Sequence, residues 1–160
     1  QAAIGNSEDI KAFKKKMMHN YTLDAVFSLP KEMFYPGASA VACCMIFDLS
    51  QKHTRSDKET FFGYFKDDKF IKRKGLGRIE MTDSEGNSLW IKTEKLWLDL
   101  YKNRKVVPGL SVKYKVTYED EWLAEAYMET DYETLEENDF QTTINSYLSY
   151  LVKEGEVYES

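Results

Sequence analysis

Few residues in this 160-residue chain have the types and spacing that catalysis needs. The two histidines, His19 and His53, fall at the end of an expected helix and in a polar loop, and no serine sits in a Gly-x-Ser-x-Gly turn. Nucleophilic hydrolysis therefore has no machinery here. Cys43 and Cys44 are adjacent within an apolar run, with no further Cys or His at metal-ligand spacing nearby, so they read as buried reduced thiols and no metal site is expected. Glu125, Glu129 and the carboxylates of 133–139 fall where solvated helix faces are expected, not where two acids would share a proton. Gly75-Leu76-Gly77 follows a basic run instead of an apolar strand and opens no helix, so it does not read as a nucleotide-binding loop. No catalytic residue is expected.

Binding chemistry is better represented. A basic cluster from Lys66 to Arg78, including Lys69, Lys72, Arg73 and Lys74, is interleaved with Phe65 and Phe70, a mixture of cations and aromatic rings that suits a nucleic-acid backbone. Solvation of an edge strand against aggregation would use the same cations. The net charge of -5 conceals the cluster: residues 51–80 carry nine Lys/Arg against five Asp/Glu, whereas 119–160 carry thirteen acids against Lys153 alone. The middle can meet an anion and the tail cannot, although each is also readable as a solvated face.

The elements that would position these residues follow from periodicity. Ser7 can cap a first helix in which Ile10, Phe13 and Met17 share a face. Leu23 to Leu29 and Ala38 to Leu49 read as strands buried on both faces, separated by a loop, Pro30 to Gly37, with an exposed Phe34-Tyr35-Pro36-Gly37. Thr60 to Phe65 and Phe70 to Lys74 read as a hairpin around Asp67-Asp68, and Asp83 to Asn87 as a tight turn. Thr93 to Tyr101 has helical spacing, and Val112 to Tyr118 alternates as a half-buried strand. Short helical structure is expected at Trp122 to Met128, then a longer helix capped by Thr134-x-x-Glu137, striped by Phe140, Ile144, Tyr147, Leu148 and Leu151, and stopped at Gly155. With 42% hydrophobic residues one ordinary core can be buried. No apolar run approaches the roughly 20 residues that cross a bilayer, and the start lacks the blocks of a secretory signal, so no membrane association and a cytoplasmic location are expected.

Three stretches resemble one protein family. Leu29-Pro30-Lys31-Glu32-Met33-Phe34-Tyr35-Pro36, followed by residues 39–47 (SAVACCMIF), is similar to the last strand-loop-strand of adenine-specific DNA methyltransferases, particularly the modification subunits of type I restriction systems. Residues 60–80 (TFFGYFKDDKFIKRKGLGRIE) resemble the block that follows the catalytic region of those enzymes. Residues 120–132 (DEWLAEAYMETDY) resemble a block near their C-terminus. The three lie in the family's order across most of residues 1 to 145.

The resemblance implies an α/β fold: the C-terminal end of a Rossmann-like methyltransferase sheet (1–50), a small basic antiparallel β-rich unit (51–118) and an acidic helical end (119–160). It also implies what is missing. The family binds S-adenosylmethionine with a Gly-rich turn and holds the target amino group with an Asn/Asp-Pro-Pro-Tyr/Phe motif, but Pro30, Pro36 and Pro108 are the only prolines and none are adjacent. The chain thus reads as a non-catalytic C-terminal piece of a longer polypeptide, or as a separately encoded half-subunit. The parent enzyme would use S-adenosylmethionine; this part would use no cofactor of its own. Its implied partners are double-stranded DNA, the N-terminal catalytic part of the same protein, and specificity and restriction subunits. Phe34, with Tyr35 beside it, matches the family's aromatic position for stacking the target base, and Lys69, Lys72, Arg73, Lys74 and Arg78 would face the DNA backbone. Two other readings stay open: a stand-alone nucleic-acid-binding module, and a protein-interaction domain that docks through its acidic helix.

Overall fold

The computed structural model describes residues 7–38, 40–54 and 58–128. The helix expected from Thr134 to Lys153, with its cap, stripe and Gly155 stop, lies outside the described residues. Along the chain run α1 (Glu8–Asn20), β1 (Thr22–Ser28), β2 (Cys43–Asp48), β3 (Thr60–Tyr64), β4 (Phe70–Arg73), β5 (Gly77–Glu80), α2 (Leu89–Lys102) and β6 (Ser111–Tyr114), and Ala124–Ala126 form a 3₁₀ turn. This is a mixed α/β arrangement. Four strands form one sheet in the order β2-β1-β3-β6, and β4 and β5 pair separately. The central pair, β1 and β3, is parallel, and each edge strand is antiparallel to its neighbour. Among the described residues no helix is long and apolar enough to cross a membrane.

Both faces of the sheet are covered, and a local irregularity in β1 arranges this. Strict alternation would put Leu23 and Ala25 on one face. The register with β2 shifts between them, so Leu23 packs with Val26 in one cluster and Ala25 in the other. The first cluster joins Leu23, Val26 and Phe62 to Met18 of α1 and to Val116 and Trp122; the second joins Ala25, Phe61 and Phe65 to Leu100 of α2. The displaced Asp24 accepts hydrogen bonds from the Tyr101 hydroxyl (2.8 Å) and from Arg104, which ties the end of α2 to β1. Helix α2 starts four residues earlier than its periodicity suggests because Ser88 Oγ accepts the Ile91 N–H at 3.1 Å.

Several expectations are corrected. Thr60 to Phe65 does not form a hairpin with the segment after Asp67-Asp68: β3 enters the main sheet beside β1, and β4 turns back on β5. The aromatic content of β3 reflects burial between two layers, with Phe61 and Phe62 fully enclosed on opposite faces. Strands from both sides of the expected boundary at residue 50 therefore share one sheet. Strand β2 is an edge strand, shorter than the apolar run that encodes it and only half-buried, and Cys44 is exposed. Helix α1 turns Phe13 to solvent and buries Lys14 and Met18 instead. The Lys14 ammonium lies 5.4 Å from the Trp122 ring centre and donates to the Asp120 carbonyl at 2.9 Å, so a long amphipathic side chain fills a core position. Ser7 stands at the N-cap without a side-chain cap bond. The strand expected to reach Tyr118 ends at Tyr114, and Asp120 then accepts the Thr117 N–H and hydroxyl to form a turn. The Asp83–Asn87 turn is present, with Asp83 accepting the Glu85 and Asn87 N–H groups and its carboxyl lowered to about 2, chiefly by the Asn87 N–H.

Candidate functional site

Strands β1 and β3 run in the same direction and end together at Ser28 and Tyr64. The loop that leaves β1 is closed at its base by the Leu29 N–H donating to the Ala42 carbonyl (3.1 Å). It then folds through successive turns, with Met33, Tyr35 and Ala38 N–H groups donating to the Pro30, Glu32 and Phe34 carbonyls. The Tyr35-Pro36 peptide is cis. Pro30 is buried against the strand end while Phe34 projects with 51% of its surface exposed. Between this loop, the end of β3 and the β4–β5 hairpin lies a cleft of about 350 Å³, lined by Pro30, Lys31, Glu32, Tyr64, Lys66, Asp67, Asp68, Phe70 and Arg78.

Of the charged residues that line the cleft, Glu32, Lys66, Asp67, Asp68 and Arg78 are each matched to an opposite charge. Arg78 Nη2 donates to both oxygens of the buried Asp68 at 2.6 and 2.7 Å, and its guanidinium lies 5.2 Å from the Phe70 ring centre. Lys66 pairs with Glu125 at 2.6 Å, and Glu125 also accepts from the Ser28 hydroxyl. Burial opposes ionisation of Glu125, but the Lys66 and Ser28 hydrogen bonds outweigh it and hold this carboxyl below its ordinary range. Lys69 pairs with Asp67, which the bond lowers likewise. Lys72 donates to Glu32 at 3.1 Å and lies 4.4 Å from the Tyr35 ring centre.

The sequence-predicted residues are thus partly assembled. Arg78 lines the cleft, its cross-strand neighbour Lys72 donates to Glu32 of the lining, and Tyr35 lies under Lys72. Phe34 is not among the residues that line the cleft. Arg73 lies on the opposite face of the hairpin from Lys72, and Lys74 in the turn, both exposed; among the described residues no carboxylate pairs with either. The five cations therefore occupy two faces and a tip, not one edge. Sequence reasoning placed Lys66 in the basic cluster and Asp68 in a turn, but missed that Glu125 and Arg78 pair with them. A basic residue just past the last buried position of a strand pointed to Lys66, but nothing local points to Glu125, 59 positions later in the numbering of this chain. Among the described residues no group of three or more His, Cys, Asp or Glu could hold a metal ion.

No protein-family model matches the chain. A type II restriction enzyme and methyltransferase, RM.BcgI of Heyndrickxia coagulans, is 30% identical over 147 residues, which are 92% of this chain and 22% of that protein. The chain thus spans about a fifth of the length of this curated relative. Among solved structures, a modification subunit of a type I restriction enzyme from Vibrio vulnificus YJ016 covers 71% of the chain and 20% of its own length, at 14% identity and a TM-score of 0.48. The sequence match, extending through the strand-loop-strand, the hairpin and the segment that carries Glu125, makes this chain a relative of one segment of a restriction-modification methyltransferase.

Proposed function

We propose that the chain is the C-terminal, non-catalytic portion of an adenine-specific DNA methyltransferase of a restriction-modification system, and that it supplies target-base and DNA-backbone contacts. The observation that carries this reading is the cleft at the carboxyl ends of the parallel pair β1/β3, where open α/β sheets place their ligands, bordered by Pro30, Lys31 and Glu32 of the loop that also carries the exposed Phe34. In the proposed parent the four-stranded sheet is the end of a Rossmann-like sheet. Methylation of an adenine amino group requires the base to leave the duplex, and an aromatic face compensates for its lost stacking. Phe34 is that face, and Tyr35, held under Lys72, supports the loop. Arg73 and Lys74 contact phosphates directly, and Lys69 and Lys72 do so on release from Asp67 and Glu32.

S-adenosylmethionine belongs to the rest of the parent enzyme. The residues of this chain do not fit it: Gly75 and Gly77 flank a hairpin turn instead of joining a strand to a helix, and Lys66, Asp68 and Arg78 of the cleft are already paired. Docking on the catalytic part and on specificity and restriction subunits belongs to the same proposal.

The test is Phe34→Ala in the full-length enzyme. Stacking on an aromatic ring is worth about 1–3 kcal/mol, so methylation falls roughly ten- to a hundredfold with an unchanged thermal melt, and Phe34→Trp keeps much of the rate. Normal methylation by Phe34→Ala, or loss of activity through unfolding, overturns the stacking role.

A further inference from the structure

We propose that the tip of the β4–β5 hairpin is a duplex-DNA wedge, in which Leu76 presses between base pairs while Arg73 and Lys74 hold the adjoining phosphates; this rests on the DNA-binding reading above. Leu76 is 74% exposed, so in this chain its side chain gains little by burial. The backbone presents it deliberately. Arg73 and Gly77 form the last pair of the ladder, the Leu76 N–H donates to the Arg73 carbonyl at 3.1 Å, and Gly75 and Gly77 take positive φ of 79° and 85°. Glycine takes this backbone without strain, and apart from its chain neighbours a Cβ at either position would meet nothing within 4 Å, so the turn is open around both glycines.

The chemistry around the tip selects its occupant. Residues 71–79 contain Lys72, Arg73, Lys74 and Arg78 and no carboxylate. Arg78 and Lys72 are held by Asp68 and Glu32 on the face toward the cleft, whereas Arg73 and Lys74 have no such carboxylate among the described residues. Ile71 and Ile79 are cross-strand neighbours on the same face as Arg73, 37% and 38% exposed, and add apolar surface to that face of the hairpin. An apolar point beside two cations, Arg73 and Lys74, that no carboxylate pairs with among the described residues matches a polyanion whose interior is a stack of apolar rings. Proteins that deform DNA insert single leucines between base steps in this way and kink the duplex by roughly 20–90°.

The experiment uses the full-length protein at saturating concentration on a long duplex, with permanganate to mark unstacked thymines. A protein-dependent hyper-reactive thymine is expected. It should weaken about fivefold or more in Leu76→Ala and persist in Leu76→Met, both with unchanged melts, because a leucine-sized wedge is what opens the step. Arg73→Ala with Lys74→Ala should lower the salt slope of binding by about 2. Duplex binding with thymine reactivity unaltered by Leu76→Ala overturns the wedge and leaves the DNA reading standing. Absence of duplex binding overturns both. If Leu76→Asp leaves DNA binding and reactivity intact but abolishes assembly with a partner subunit, the tip is a protein-docking point and the wedge is wrong.

Discussion

Arg78 donates through a single nitrogen, Nη2, to both carboxylate oxygens of Asp68, while Asp68 Oδ1 also accepts the Phe70 N–H at 3.1 Å. Asp68 is 5% exposed and Arg78 only partly exposed, so the pair lies at the floor of the cleft with its carboxylate buried. Removing the cation from a buried pair costs on the order of 3 kcal/mol, because the carboxylate is left without its counter-charge. Arg78→Ala should accordingly lower the thermal midpoint and leave the salt slope of DNA binding unchanged. Arg73→Ala and Lys74→Ala should do the reverse, each lowering the slope by about 1 at constant stability. Equal slopes for wild type and both exposed-site variants would remove these two cations from the interface.

Gly63 is the one position in β3 where a side chain has no room. A Cβ there would lie 2.7 Å from Phe65 Cζ and 2.9 Å from Phe27 Cδ1. Those rings stack at 5.1 Å, and Phe65 stacks in turn on Trp97 at 4.6 Å, so neither can yield without disturbing the layer beneath α2. Overpacking of this kind costs about 1–3 kcal/mol, and Gly63→Ala should lose that much in urea denaturation. Phe65→Leu in the same chain should restore part of it; a neutral Gly63→Ala would show that the rings give way freely.

His53 predicts an acid-side loss of stability. Burial lowers its pKa below 6.5, against a smaller raising effect of the hydrogen bond between Nε2 and the Val116 carbonyl at 3.1 Å. Nδ1 is buried without a partner, so a proton added there gains no acceptor. The folded state then binds this proton less readily than the unfolded state, and stability falls as the pH drops below about 6.5. The urea midpoint should be lower at pH 5 than at pH 7.5, and His53→Gln should flatten that difference. An unchanged pH dependence in His53→Gln would assign the effect to other groups.

Local pattern was enough to locate α1, β1, the core of α2, the Asp83–Asn87 turn and the exposed Phe34 loop, because capping, periodicity and turn chemistry are interactions between residues a few positions apart. The sequence alone also established that the adjacent prolines of the methyltransferase motif are missing, which no fold can alter. What only the tertiary structure decided depends on partners far apart in the chain. Whether Thr60–Tyr64 turned back on Phe70–Arg73 or lay parallel to β1 is invisible to a period of two, since both pairings present the same alternation; burial on two faces chose the second. The basic cluster likewise looked uniform as a string. Strand pairing sent Lys72 and Arg78 to one face and Arg73 to the other, and Asp68 and Glu32 then neutralised the first two, leaving Arg73, Lys74 and Leu76 as the hairpin's outward chemistry.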